Sequence, residues 1–249
     1  MKYRSIFVSD IHLGTRFAQA EQFLDFLKHN ESENLIFVGD IIDGWAIKRK
    51  FKWLQSHSDV IQKVLKKARH GTKVYFITGN HDEFLRPFVP LIMGDNLEIC
   101  NEMDYLGINE KRYLITHGDF FDSITMTHRW LAIVGDIGYD FVLYVNYLIN
   151  KISKKCGIKR YWSLSKYVKD NVKSSVSFIT DFEEVLANHA KRKEYDGVIC
   201  GHIHKAEKKL IDEIEYLNCG DWVENCSAVV ENFDGTFELI YWNNELCQE

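Results

Sequence analysis

An α/β layered core carrying a helical insertion is the fold class that this 249-residue sequence predicts. Three observations predict it. Short apolar runs ending in turn residues recur along the chain: "SIFVSD", "NLIFVGD", "KVYFITGN", "RYLITHGD" and "GVICGHIH". Helical patterns separate the early runs, and a long helical stretch lies between the fourth and the fifth. Strand–helix alternation of this kind argues for a sheet covered by helices.

Taken in order, each run is rich in Ile, Val, Phe or Tyr and near-continuously hydrophobic, as a strand buried on both faces requires. Phe23, Leu24, Phe26 and Leu27, then Val60, Ile61, Val64 and Leu65, repeat at helical steps. From about residue 123 to 193 the pattern is helical, with Leu164, Val168, Val172, Val176 and Ile179 at three- and four-residue steps. This stretch reads as a cap inserted between two core strands, so the expected division is a core of 1–122 and 194–249 with a cap of 123–193. Residues 206–242 alternate like antiparallel strands, with Asp234-Gly235 as a hairpin turn.

Composition narrows the function classes. With 46% hydrophobic residues the chain can bury a sizeable core. A net charge of −5 argues against a broad nucleic-acid footprint. Six scattered cysteines without a CxxC pair read as reduced thiols of a cytosolic protein. The apolar start is too short for a secretory signal, and the most apolar long stretch, 131–149, contains Asp136 and Asp140, which argues against a membrane span.

Every predicted strand ends in metal-binding residue types. The first delivers Asp10 and His12, the second Asp40 and Asp43, the third Asn80, His81 and Asp82, the fourth His117 and Asp119, the fifth His202 and His204. Side chains two apart on a strand point the same way, so each His pair or Asp-x-His pair can converge on one spot. Ligands bind beyond the carboxyl ends of strands in such folds. Glycines at 39, 79, 118 and 201 beside these residues allow sharp turns and close backbone approach. One Asp-x-His would mean little; five blocks in this order mean a metal site.

The set Asp10-x-His12, Gly39-Asp40-x-x-Asp43, Gly79-Asn80-His81-Asp82, His117 and Gly201-His202-x-His204 resembles the calcineurin-like metallophosphoesterases. That resemblance implies a four-layer αββα sandwich holding two metal ions. One would take Asp10, His12, Asp40 and His204, the other Asp40, Asn80, His117 and His202, with Asp40 bridging. Mixed oxygen and imidazole ligands suit Mn²⁺, Fe²⁺ or Zn²⁺, and Mn²⁺ is the expected ion. Two cations would clamp a phosphate and acidify an attacking water. Asn80 and His81 would serve catalysis, His81 by contacting the phosphoryl group, while Asp43 and Asp82 would orient ligands.

The insertion bears on substrate. Between Asp140 and Asp170 there is no acidic residue, and seven cations, among them Lys154, Lys159 and Lys169, interleave with apolar positions. A basic and apolar cap suits an anionic amphiphile or a membrane surface. Together with "THGDFFD", "SLSKYVKDNVKSSVSFITDFEE" and "YLNCGDWVE", the chain resembles the UDP-2,3-diacylglucosamine diphosphatases of lipid A biosynthesis and their broader bacterial relatives. This implies a pyrophosphatase acting on a lipid-linked sugar nucleotide, at the cytoplasmic face of the inner membrane, with Asp122, Ser165, Lys166 and Lys169 as candidate substrate contacts. The best-known branch of that family carries Gly-Asn-Arg-Asp in its third block, whereas this sequence has His81; the departure bears on the substrate, not on the metal ligands. Rival expectations are another phosphomonoesterase, phosphodiesterase or nucleotide hydrolase on the same core, and a non-catalytic scaffold, which would be expected to have lost ligands that are all present here.

Overall fold

The computed structural model describes residues 1–121 and 173–242, with backbone alone for 173–178. The chain divides into two compact units, Met1–Asp119 with Val185–Glu249, and Phe120–Glu184. The first unit holds both sheets. The expected contacts Asp122, Ser165, Lys166 and Lys169, and most of the expected cap, lie outside the described residues.

Strands β1 (Lys2–Val8), β2 (Glu31–Val38) and β3 (Lys73–Ile77) pair in parallel, joined by helices α1 (Ala20–His29), α2 (Gly44–Arg49) and α3 (Gln55–Arg69). Strands β4 (Leu91–Ile92) and β5 (Leu97–Cys100) extend this sheet, and β6 (Glu102–Leu106) and β7 (Arg112–Thr116) start the second. Helix α4 (Lys173–Arg192) leads into β8 (Gly197–Cys200), β9 (Glu207–Ile211) and β10 (Ile214–Asn218), then β11 (Ser227–Glu231) and β12 (Phe237–Tyr241). The seven-stranded sheet has the order β12-β11-β1-β2-β3-β5-β4, and the five-stranded sheet β6-β7-β8-β10-β9.

Period-two alternation sorts the strand residues into two layers. Phe7, Ile36, Val38 and Ile77 from the larger sheet pack with Ile115, Ile199 and Leu217 from the smaller one, forming the inter-sheet core. Their neighbours Ile6, Val8, Leu35 and Phe37 face the other way, against Phe23 and Phe26 of α1 and Val60 and Val64 of α3. The predicted helical stripes are in place, except that Leu65 points outward and is half exposed. A polar tie also crosses between the sheets: Glu231 on β11 is fully buried, accepts from Ile108 N at 2.8 Å and pairs with Arg4 at 3.2 Å. The Tyr105 hydroxyl on β6 donates to the same carboxylate.

The C-terminal segment differs from the antiparallel meander that its alternation suggests. β10 pairs antiparallel with β9 but parallel with β8, and β11 leaves for the other sheet, antiparallel to β1. Alternation reports which faces are buried, not which strand is the neighbour. The β11–β12 hairpin does turn at Asp234-Gly235, where Gly235 takes φ +82° and Asp234 Oδ1 accepts from Thr236 N.

Candidate metal centre

All five predicted strand ends open onto one site. Asp10 and His12 follow β1, Asp40 and Asp43 follow β2, Asn80 to Asp82 follow β3, His117 follows β7, and His202 and His204 follow β8. Backbone bonds lace the first two loops together, with Asp10 N donating to Gly39 O and His12 N to Asp40 O, each at 3.0 Å. Asp10 Oδ2 accepts from His202 N at 3.0 Å, and Asp40 Oδ1 accepts from His81 N at 2.8 Å. Each carboxylate thus spends one oxygen on a neighbouring loop and keeps the other for the centre.

The donor atoms gather in two main groups, Asp10–His12–His204 and Asp40–His117–His202, each within 4.8 Å. Both groups draw on both sheets. In the first, Asp10 Oδ1 lies 3.1 Å from His204 Nε2, and in the second, Asp40 Oδ2 lies 3.2 Å from His117 Nε2. His117 Nδ1 lies 2.9 Å from Val38 O, which accepts its proton and turns Nε2 toward Asp40. A third group, His12–Asp43–His81, was not foreseen as a cluster. There Asp43 Oδ2 sits 3.3 Å from His12 Nδ1 and 3.1 Å from His81 Nδ1, while its Oδ1 caps α2 through Ala46 N at 2.6 Å.

The backbone is bent to make this possible. Asp10, His12, Asp40, His202 and His204 all lie in the left-handed region, at φ between 52° and 70°. Such conformations cost a non-glycine residue on the order of 1–3 kcal/mol each and cluster at functional sites. The glycines are needed for closeness: a Cβ at Gly39 would come 2.2 Å from His117 Nδ1, and one at Gly79 2.1 Å from Asp40 Oδ1. Asp82 is fully buried and pins two loops at once, accepting from Ile41 N at 2.9 Å and Gly79 N at 2.5 Å.

Electrostatics follow from the crowding of carboxylates and imidazoles. Burial opposes ionisation of Asp40, but His117 and the neighbouring imidazoles outweigh it and hold the carboxyl far below its usual range. Asp10 and Asp43 are depressed in the same way, against their burial, chiefly by His204 and His12 respectively. Burial would push His117 down, yet the Asp40 carboxylate raises it to about 10. Asp82 goes the other way, pushed up to about 7 by burial and then by Asp40.

Two features were missed from sequence. Trp45, 38% exposed, lays its ring 4.4 Å from that of His81 and donates to Glu83 at 3.1 Å. Asp221, in the quoted "CGDW", is buried with Oδ2 at 4.0 Å from His204 Nδ1. Its position after a glycine at a strand end was the available signal.

The model of the calcineurin-like phosphoesterase family matches residues 3–206. The chain belongs to the calcineurin-like phosphoesterase family. It is similar over nearly its whole length to proteins named UDP-2,3-diacylglucosamine hydrolase. The one from Porphyromonas gingivalis is 23% identical, covering 95% of this chain and 96% of that protein. The one from Psychromonas ingrahamii is 26% identical, covering 91% and 92%. A solved archaeal phosphodiesterase aligns with 14% identity and a TM-score of 0.44, over 95% of this chain and 98% of its own.

Do the residues of this calcineurin-like phosphoesterase fit divalent metals? Asp10 Oδ1, Asn80 Oδ1 and His117 Nε2 are buried and make no well-aligned hydrogen bond, the first and last having only the close imidazole–carboxylate approaches given above, although buried polar atoms are normally satisfied. Buried oxygen and imidazole donors left over in this way are what divalent cations would satisfy, and the mixed donor set suits a transition metal better than Ca²⁺. They fit.

Proposed function

We propose that the protein is a dinuclear-metal hydrolase that splits the pyrophosphate of UDP-2,3-diacylglucosamine, giving lipid X and UMP. The observation that carries the substrate is the end-to-end likeness to the two UDP-2,3-diacylglucosamine hydrolases, which spans the insertion as well as the core. The basic and apolar composition of residues 140–170 supports it. Asp122, Ser165, Lys166 and Lys169 are the proposed substrate contacts.

In this reading Asp10, His12, Asp40 and His204 hold one cation, and Asp40, Asn80, His117 and His202 the other. Manganese is the proposed ion, with Fe²⁺ or Zn²⁺ as the alternatives. When bound, the pair supplies Lewis acidity, neutralising phosphate charge and lowering the pKa of water. The chain's own work is placement. Asp40 ties the two halves together, and His117 is oriented by its bond to Val38 O. His81, held between Asp43 at 3.1 Å and the Trp45 ring, faces the phosphoryl group and donates to the departing oxygen. Water, not a side chain, is the nucleophile, so one P–O bond of the bridge breaks as one to water oxygen forms.

Among the described residues no helix is long and apolar enough to cross a membrane. We place the protein in the cytoplasm, peripheral on the inner membrane. A second reading, hydrolysis of another phosphomonoester, phosphodiester or nucleotide, is favoured by His81 itself, which stands where the best-known branch of the resembling family has arginine.

Release of UMP from UDP-2,3-diacylglucosamine, compared with cleavage of simple phosphoesters, tests the proposal. Strong preference for the lipid-linked nucleotide is expected. Equal turnover of every substrate, or cleavage of nucleic acid alone, would overturn it.

A further inference from the structure

The segment that leaves the site through α2 has an unusual surface. Its sequence, "WAIKRKFKW", alternates cations with aromatic residues in a chain of net charge −5. Lys48, Arg49, Lys50 and Lys52 are all exposed. Phe51, between two of the lysines, is 74% exposed, and Leu54 is 39% exposed. Phe51 thus sets an exposed apolar ring within a run of cations.

The lysine side chains make few bonds of their own. Lys48 can complement the C-terminal end of α2, but Lys50 and Lys52 lie beyond the helix. Among the described residues the side chains of Lys48, Lys50 and Lys52 make no ion pair or hydrogen bond. Lys48 comes three residues after Trp45, whose ring touches His81, so the run starts close in sequence to the metal centre.

We propose that residues 48–54 dock the protein on an anionic bilayer, with the cations against headgroup phosphates and Phe51 and Leu54 among the upper acyl carbons. Cations alone would suit any polyanion; the exposed phenyl ring between them selects an interface with an apolar interior. The segment belongs to the phosphoesterase core and is distinct in sequence from the basic insertion. Its purpose, presenting the site to a substrate that resides in the bilayer, rests on the lipid-linked reading above, but binding can be measured without turnover.

The test is co-sedimentation of the full chain with two kinds of vesicle, phosphatidylcholine alone and phosphatidylcholine with about one part in four phosphatidylglycerol. Wild type should bind the anionic vesicles, and added salt should weaken binding. Replacing the lysines together (Lys48→Gln, Lys50→Gln, Lys52→Gln) should lower the partition coefficient about a hundredfold, since each cation is worth about 1 kcal/mol, or about fivefold, at such a surface. Phe51→Ser should lower it with the charges intact. Turnover of a soluble phosphodiester should be unchanged in both variants, which shows that they are folded.

Wild-type binding to both vesicle types alike would overturn the proposal, as would unchanged binding by the triple variant. Binding that survives Phe51→Ser, together with equal retention on heparin, would assign the surface to polyanions instead and overturn it too. If vesicles bind as expected but UDP-2,3-diacylglucosamine is not cleaved, the docking surface stands and the substrate reading falls. The opposite pattern sinks the surface and leaves the substrate.

Discussion

Oδ1 of Asp40 accepts the backbone N–H of His81 at 2.8 Å, so the loop after β3 is fastened to the carboxylate that the loop after β2 presents. The bond passes beside Gly79, where a β-carbon would fall 2.1 Å from the same oxygen. Gly79→Ala should therefore push the Asp40 carboxylate aside. Turnover should fall at least about a hundredfold, since misplacement by an ångström costs that much. Metal affinity should fall with it. Steady-state kinetics over a manganese titration reads both; a variant with wild-type activity would show that Asp40 has room to move.

Asp40 and His81 should separate by their metal content. Asp40→Ala removes the carboxylate nearest His117 and should abolish turnover and empty the centre. His81→Ala should slow turnover by roughly a hundredfold to ten-thousandfold, the usual worth of a proton donor, with metal retained. Metal analysis of the two purified variants decides. Wild-type metal content in Asp40→Ala would refute the shared-ligand assignment.

Chelation followed by dialysis should remove all activity, and Mn²⁺ should restore it. Activity that persists in verified metal-free protein would remove the basis of the mechanism.

The left-handed backbone makes an inverted prediction about stability. At His202, φ 70°, a glycine is at ease and an alanine is not. In metal-free protein His202→Gly should be about 1 kcal/mol more stable than His202→Ala, the reverse of their order within a helix. Denaturant midpoints measure the difference, and the helical order of the two would disprove the strain.

His57 gives a pH dependence away from the metal ligands. It is fully buried, and Nδ1 accepts from Gly14 N at 3.2 Å, so the ring is neutral. Burial, and then Lys52, lowers its pKa below the ordinary 6.5. A base whose folded-state pKa is depressed contributes stability that is complete above its unfolded pKa and lost as pH falls through the folded one. As pH falls below about 6.5 the protein should lose stability, by up to about 1.4 kcal/mol for each tenfold difference in proton affinity. His57→Gln, which keeps an acceptor that does not titrate, should flatten that part of the profile.

What the sequence made legible was what physics encodes locally. The five strands that feed the site are near-continuous apolar runs with ligand types at their ends, and both signals survive without knowledge of neighbours. β4 and β5 were not read, because two residues are too few to show a pattern and Glu98 breaks the apolar run of the other. The departure of β11 to the other sheet is a pairing choice that alternation does not record. Trp45 escaped because an aromatic beside a helix cap looks like packing until His81 is seen against it. Asp43 was foreseen as an orienting group, yet its double contact with His12 and His81 needed three loops in space.

Both main donor groups take residues from each sheet, so the inter-sheet core around Phe7, Ile36, Ile115 and Ile199 is also the gauge that sets the distance between the two halves of the centre. Two slabs are bolted face to face, and the tools are mounted half on one and half on the other. Slippage at the joint, even from a methyl group lost near Glu231 and Tyr105, would open or narrow the jaws without touching them. Tuning of the chemistry can therefore be inherited through residues that no substrate ever meets.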